Sequence, residues 1–132
     1  MKRIRSLLFI KRTNRWYERL VYAVETAGIL IDDTIEETNK IERELRLYIP
    51  NIAFFCLEKG AEGNVMFEIY RSLVINRFFD DKKTLVVFVS EIGDTDNNCD
   101  IARTNLPHLF FPVMVGDFEN LFRENKALSA LA

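Results

Sequence analysis

Apolar runs and stretches of helical periodicity alternate along the chain, strand then helix, five times over. Ile4–Ile10, rich in Leu and Ile, predicts a first strand. Between Asn14 and Ala27, Trp16, Leu20, Val21, Val24 and Ala27 recur at helical spacing, and Gly28 stands where a helix C-terminal glycine belongs. Ile29–Ile31 predicts a second strand ended by Asp32 and Asp33. Thr34-Ile35-Glu36-Glu37 then matches a capping box, and Ile35, Thr38, Ile41, Leu45 and Tyr48 continue one helical face up to Pro50. Ile52–Leu57 is apolar without alternation, as a strand covered on both faces should be. After Gly60 and Gly63, Asn64 is placed to cap a third helix reaching about Phe78, with Val65, Ile69 and Leu73 inward. Thr84–Val89 is a further β-branched run, and the polar stretch Gly93–Asp100 leads to a short fourth helix ending near Leu106-Pro107. Leu109–Val115 predicts the fifth strand, and Asp117 a cap for a last helix bearing Phe118, Leu121, Phe122 and Leu128.

Helices between buried strands predict an α/β fold with a parallel five-stranded sheet and right-handed crossovers. The expected architecture is a flavodoxin-like (βα)5 three-layer sandwich, with residues 1–132 forming a single domain. The most uniformly apolar strands, 52–57 and 85–89, belong inside the sheet, and Pro112 belongs on an edge. Strand order 2-1-3-4-5 satisfies both, and it opens a ligand crevice beyond the carboxyl ends of strands one and three. Lys11, Arg12, Thr13, Cys56, Leu57, Glu58 and Ser90 are the residues expected there.

Composition narrows the function classes. With 48% apolar and 29% charged residues, the 132-residue chain is globular and long enough to bury roughly 65–70% of its unfolded surface. No apolar run reaches membrane-span length and no secretory signal is present, so a cytoplasmic protein without membrane contact is expected. Two cysteines fit neither a disulfide framework nor a zinc spacing, which agrees with a reducing compartment. The net charge of −2 and acidic isoelectric point argue against nucleic acid as a partner. That total hides an asymmetry: residues 1–24 carry seven basic side chains and one acid, Glu18.

Pro50-Asn51-Ile52-Ala53-Phe54-Phe55-Cys56-Leu57, followed by Gly60 and Glu62-Gly63, resembles the third strand and following loop of the receiver domains of two-component response regulators. The likeness in element order and size spans nearly the whole chain. It implies a phosphorylation chemistry whose parts are absent here. The nucleophilic aspartate's position is Cys56, and the acidic pair that would hold Mg²⁺ is Lys11-Arg12. The lysine near the end of strand five is replaced by Phe111 or Met114, and only Ser90 matches, as the hydroxyl after strand four. The resemblance therefore implies a degenerate pseudo-receiver: a signalling or scaffold module, not an enzyme, acting through a protein partner or as a homodimer. In receivers the fourth helix, fifth strand and fifth helix commonly form the contact face. Here that region carries Phe110, Phe111, Phe118 and Phe122.

The alternative reading is a small-molecule sensor. Lys11, Arg12 and Arg15 flank Thr13-Asn14 at the expected start of helix one, where free amides and cationic groups suit phosphate, a nucleotide or another anion. The competing reading is a solvated loop balanced by Asp32, Asp33 or Glu58. Asp94, Asp96, Asn98 and Asp100 alternate as in a calcium loop, but Cys99 and Asn105 stand where that loop needs Gly and Glu, so no metal is expected. Cys56 reads as a small buried hydrophobe, and His108 is expected at the opposite end of the sheet from it. No acid, base and nucleophile converge, and no cofactor motif is present.

Overall fold

The computed structural model describes residues 4–36, 49–77 and 83–125. Its strands are β1 (Arg5–Phe9), β2 (Leu30–Ile35), β3 (Ile52–Cys56), β4 (Leu85–Ser90) and β5 (His108–Phe110). The described helices are α1 (Tyr17–Thr26), α2 (Ala61–Ile75), α3 (Thr95–Ala102) and α4 (Val115–Glu124). All strand pairs are parallel, in the order β2-β1-β3-β4-β5. This is the flavodoxin-like arrangement that the apolar runs predict.

Strand periodicity divides the core in two. Leu8 and Ile10, Ile52, Phe54 and Cys56, and Val87 and Val89 pack toward α1 and α4, meeting Leu20, Val24, Phe118 and Leu121. The alternate residues Leu7, Phe9, Ala53, Phe55, Val86 and Phe88 pack toward α2 and α3, meeting Phe67, Leu73 and Ile101. Being apolar on both faces, β3 is buried at every position.

Helix α1 stops as its sequence predicts. Gly28 has φ +85°, its N–H reaches the Glu25 carbonyl at 3.0 Å, and the Ile29 N–H reaches the Val24 carbonyl at 3.2 Å. That double closure is a Schellman motif, sealed by contact of buried Ile29 with the Val24 side of the core.

Several boundaries differ from expectation. Asp32 and Asp33 do not end β2; the register with β1 slips between Ser6 and Leu7, leaving Asp32 as an extra residue whose carboxylate takes both Nε and Nη2 of Arg5. A charged bulge of this kind is compatible with an edge strand. Thr34 and Ile35 belong to β2 rather than to a helix cap, and the Thr34 hydroxyl lies 3.3 Å from the Tyr17 hydroxyl. The rest of the predicted second helix, Phe78 and Leu128 lie outside the described residues. Helix α2 begins at Ala61, so Asn64 falls within it. Helix α3 ends at Ala102, earlier than Leu106. β5 is only His108–Phe110, because Pro112 has no N–H with which to extend the ladder, and Val115 already opens α4. Asp117 serves that helix from its third position, accepting the Met114 N–H at 2.8 Å.

Candidate functional site

The parallel sheet points its carboxyl ends at one rim, and a cleft of about 350 Å³ opens there. The β1–α1 loop (13–16), the β3–α2 loop (57–59), Glu91 and Phe111 line it. It lies where chain direction switches between β1 and β3, the place at which doubly wound sheets leave room for ligands.

Of the residues expected in this crevice, the structure brings Thr13, Leu57 and Glu58 to its lining, together with Arg15 of the expected anion-binding set. Thr13 and Asn14 precede the helix rather than cap it, since α1 starts at Tyr17. The Asn14 side chain accepts the Trp16 N–H at 2.8 Å, shaping the turn before the helix. Arg12 turns away toward the β2 edge. Its backbone N–H donates to Glu36 Oε1 at 2.6 Å and its Nη1 to Glu36 Oε2 at 2.9 Å. That bond to Glu36, reinforced by the Tyr17 hydroxyl, raises the Arg12 pKa. The acids that meet Arg12 and Arg15 are thus Glu36 and Glu91, while Asp32 takes Arg5.

Arg15 crosses the cleft to Glu91. The indole N–H of Trp16 also faces that carboxylate at 3.4 Å. The hydrogen bond from Arg15 holds Glu91 below the usual carboxylate range; Trp16 and the charges of Arg15 and Lys59 add to it, and partial burial opposes it. Trp16 packs near-parallel to Phe111, with centroids 6.1 Å apart and planes at 10°. The Arg15 guanidinium carbon lies 4.8 Å from the indole centroid. The opposite wall is tied by Asn97. Its Nδ2 donates to Asp94 Oδ2 at 2.5 Å and reaches the carbonyls of Glu58 and Gly60 at 3.3 Å, joining the β3–α2 loop to the start of α3.

Cys56 and Ser90 do not meet. Cys56 points into the α1/α4 core, where burial pushes its thiol pKa far up and keeps it protonated. Ser90 is fully buried on the other face. Its hydroxyl lies 2.5 Å from Asn98 Oδ1 and 2.6 Å from His108 Nε2. The Asn98 amide nitrogen is occupied by the carbonyls of Glu91 and Ile92, so its oxygen faces Ser90 and the serine proton goes to it. His108 Nε2 must then donate to Ser90, and burial keeps the imidazole pKa below its ordinary value. His108 is therefore not at the far end of the sheet; it pairs with Phe88 in register and binds Ser90. This Ser–His contact lacks the polarity of a nucleophile and base, because the serine proton is committed to Asn98.

Asp96 and Asn98 ride on helix α3, where residues two apart point to different sides, unlike ligands along a calcium loop. Among the predicted contact aromatics, Phe111 and Phe118 are core residues and Phe122 packs against that core, leaving Phe110 exposed. Trp16, Lys59 and Glu91 are site residues that periodicity missed. Helical spacing alone points Trp16 toward the core, and nothing local connects Glu91 to Arg15, 76 residues away.

No protein-family model and no curated protein sequence matches this chain. Solved structures do. The signal receiver domain of a modulated diguanylate cyclase from Desulfovibrio desulfuricans superposes with TM-score 0.66 at 15% identity, covering 96% of this chain and 94% of that one. The signal receiver domain of a putative Luxo repressor protein from Vibrio parahaemolyticus gives 0.66 at 14% identity, covering 97% and 94%. A pilus assembly protein, CpaE, from Caulobacter crescentus gives 0.60 at 16% identity, covering 99% and 95%. The chain has the receiver fold.

Proposed function

We propose that this chain is a non-catalytic pseudo-receiver, a cytoplasmic signalling or scaffold module that works by protein–protein contact without aspartyl phosphorylation. The observation that carries the reading is Cys56, a buried and protonated thiol at the end of β3 where a receiver's nucleophile would stand. The lost acidic pair supports it, since Lys11 and Arg12 follow β1 and Arg12 is bound to Glu36. Phe111, at the rim after β5, takes the place of the phosphoryl-contacting lysine. Incubation with acetyl phosphate and Mg²⁺ should leave the intact mass unchanged; an acid-labile gain of one phosphoryl group would overturn the assignment.

Contact through the last strand and helix is supported by exposed apolar residues there. Phe110 and Met114 are open to solvent, and a groove of about 380 Å³ runs from Tyr22 and Ala23 of α1 to Pro112–Val115. Sedimentation velocity should show concentration-dependent self-association that is lost when Phe110→Asp and Met114→Asp are combined. A monomer at every concentration would move this face to a different protein partner.

A second reading, a small-ligand sensor, is favoured by the cleft itself. Its volume falls in the range of small-molecule sites, and it lies at the topological switch point. Arg15 is the one member of the predicted anion set Lys11, Arg12, Thr13 and Arg15 whose charge reaches the cleft lining.

A further inference from the structure

The cleft is lined by both signs of charge. Arg15 spans it to Glu91, Lys59 acts on the same carboxylate, and Glu58 adjoins Lys59 on the β3–α2 loop. An inorganic anion bound at Arg15 would take the guanidinium from Glu91 and then stand beside that carboxylate, of like charge, in the same cleft. A simple cation at Glu91 would face Arg15 and Lys59 in the same way. A ligand with one anionic and one cationic end replaces both halves of the ion pair together, so no charge in the cleft loses its partner. Beside this ion pair lie the near-parallel rings of Trp16 and Phe111, the indole under the Arg15 guanidinium with its N–H toward Glu91.

Building on the sensor reading, we propose that this cleft is a site for a free zwitterionic α-amino acid with an apolar or aromatic side chain. The ligand carboxylate takes Arg15, its ammonium takes Glu91, and its side chain lies on Trp16 and Phe111. The cleft volume of about 350 Å³ accommodates a molecule of that size. Arg15 is the half of the pair that moves: its side chain is 72% exposed, against 22% for Glu91, which is also fixed by the Trp16 N–H.

Trp16 is the only tryptophan of the chain, so its fluorescence reports the cleft directly. The full chain is titrated with L-phenylalanine, L-phenylalaninamide, hydrocinnamate, inorganic phosphate and AMP, with calorimetry in parallel. L-Phenylalanine should give a saturable response. The amide, which lacks the carboxylate, and hydrocinnamate, which lacks the ammonium, should each bind at least ten-fold more weakly. Arg15→Gln and Glu91→Gln should abolish the response while retaining the wild-type melting profile. Equal binding of either singly charged analogue would overturn the zwitterion assignment. Saturable binding of phosphate or AMP without L-phenylalanine would overturn it and leave the sensor reading standing. Absence of any saturable response would overturn both.

Discussion

Cys56→Asp, which puts a carboxyl at the end of β3, is expected to destabilise the protein strongly and to remain unphosphorylated. Cys56 is 2% exposed and packs in the core that holds Phe54, Val87, Val89 and Phe111. A carboxylate there is ionised in the unfolded chain and desolvated in the folded one, and an uncompensated buried charge costs about 3–5 kcal/mol. For a chain of this size that corresponds to a fall in Tm on the order of 15 °C. The sign with pH follows. Burial raises the folded pKa of the new carboxyl above its unfolded value, so the penalty is full above the folded pKa and relieved as pH falls toward the unfolded one. Urea midpoints for variant and wild type should therefore lie far apart at neutral pH and approach one another in mild acid. Cys56→Ser, which adds no charge, should lose much less. Acetyl phosphate with Mg²⁺ should leave Cys56→Asp unmodified, because the residues after β1 are Lys11 and Arg12 and offer no carboxylate to a hard cation. Phosphorylation of that variant would mean that the scaffold assembles a metal site from other side chains.

Phe55→Ala should remove about 4 kcal/mol of folding stability. Phe55 is fully buried in the central strand, on the α2/α3 face. Its ring stacks on Phe9 with centroids 4.3 Å apart and planes at 4°, and meets Tyr70 edge-on at 5.7 Å and Phe88 at 6.1 Å. Truncation loses the buried area, the aromatic pairings at about 0.5–1.5 kcal/mol each, and leaves a cavity walled by rigid rings that cannot collapse into it. Domains are stable by only about 5–15 kcal/mol, so this loss is a large fraction of the total. The urea midpoint should fall with the slope unchanged, the mark of altered stability rather than altered compactness. Phe110→Ala is the matched control. Being 38% exposed at the sheet edge, Phe110 should cost well under half as much.

The contrast between Phe55 and Phe110 shows how far local pattern reaches. The unbroken run Ile52–Leu57 already marks β3 as a strand covered on both faces, and every one of those residues is buried. Gly28 marks the end of α1 in the same direct way, since a positive φ after a helix is most readily accepted by glycine. The aromatic residues near the last strand carry no such mark. Phe110, Phe111, Phe118 and Phe122 look equivalent in sequence, yet Phe111 and Phe118 enter the core while Phe110 stays at the edge. Which way each faces depends on where β5 stops, and that was set by Pro112 rather than by apolar content.

By itself the sequence determined the order of elements, the central strands and hence the sheet order, because strand burial and helix faces leave their periods in neighbouring residues. It also determined that Cys56 closes β3 and that Lys11 and Arg12 follow β1, since those are matters of residue identity at positions set by the strands. Only the tertiary structure decided how the charges pair. Arg12 meets Glu36 across 24 residues, Arg15 meets Glu91 across 76, and Ser90 binds His108 instead of approaching Cys56. Those partners lie on separate βα loops and strands, and a charged side chain leaves no periodic trace of the group it will face. Sheet register and loop geometry select the partner, and so a basic stretch after β1 became a cleft lined by both signs of charge.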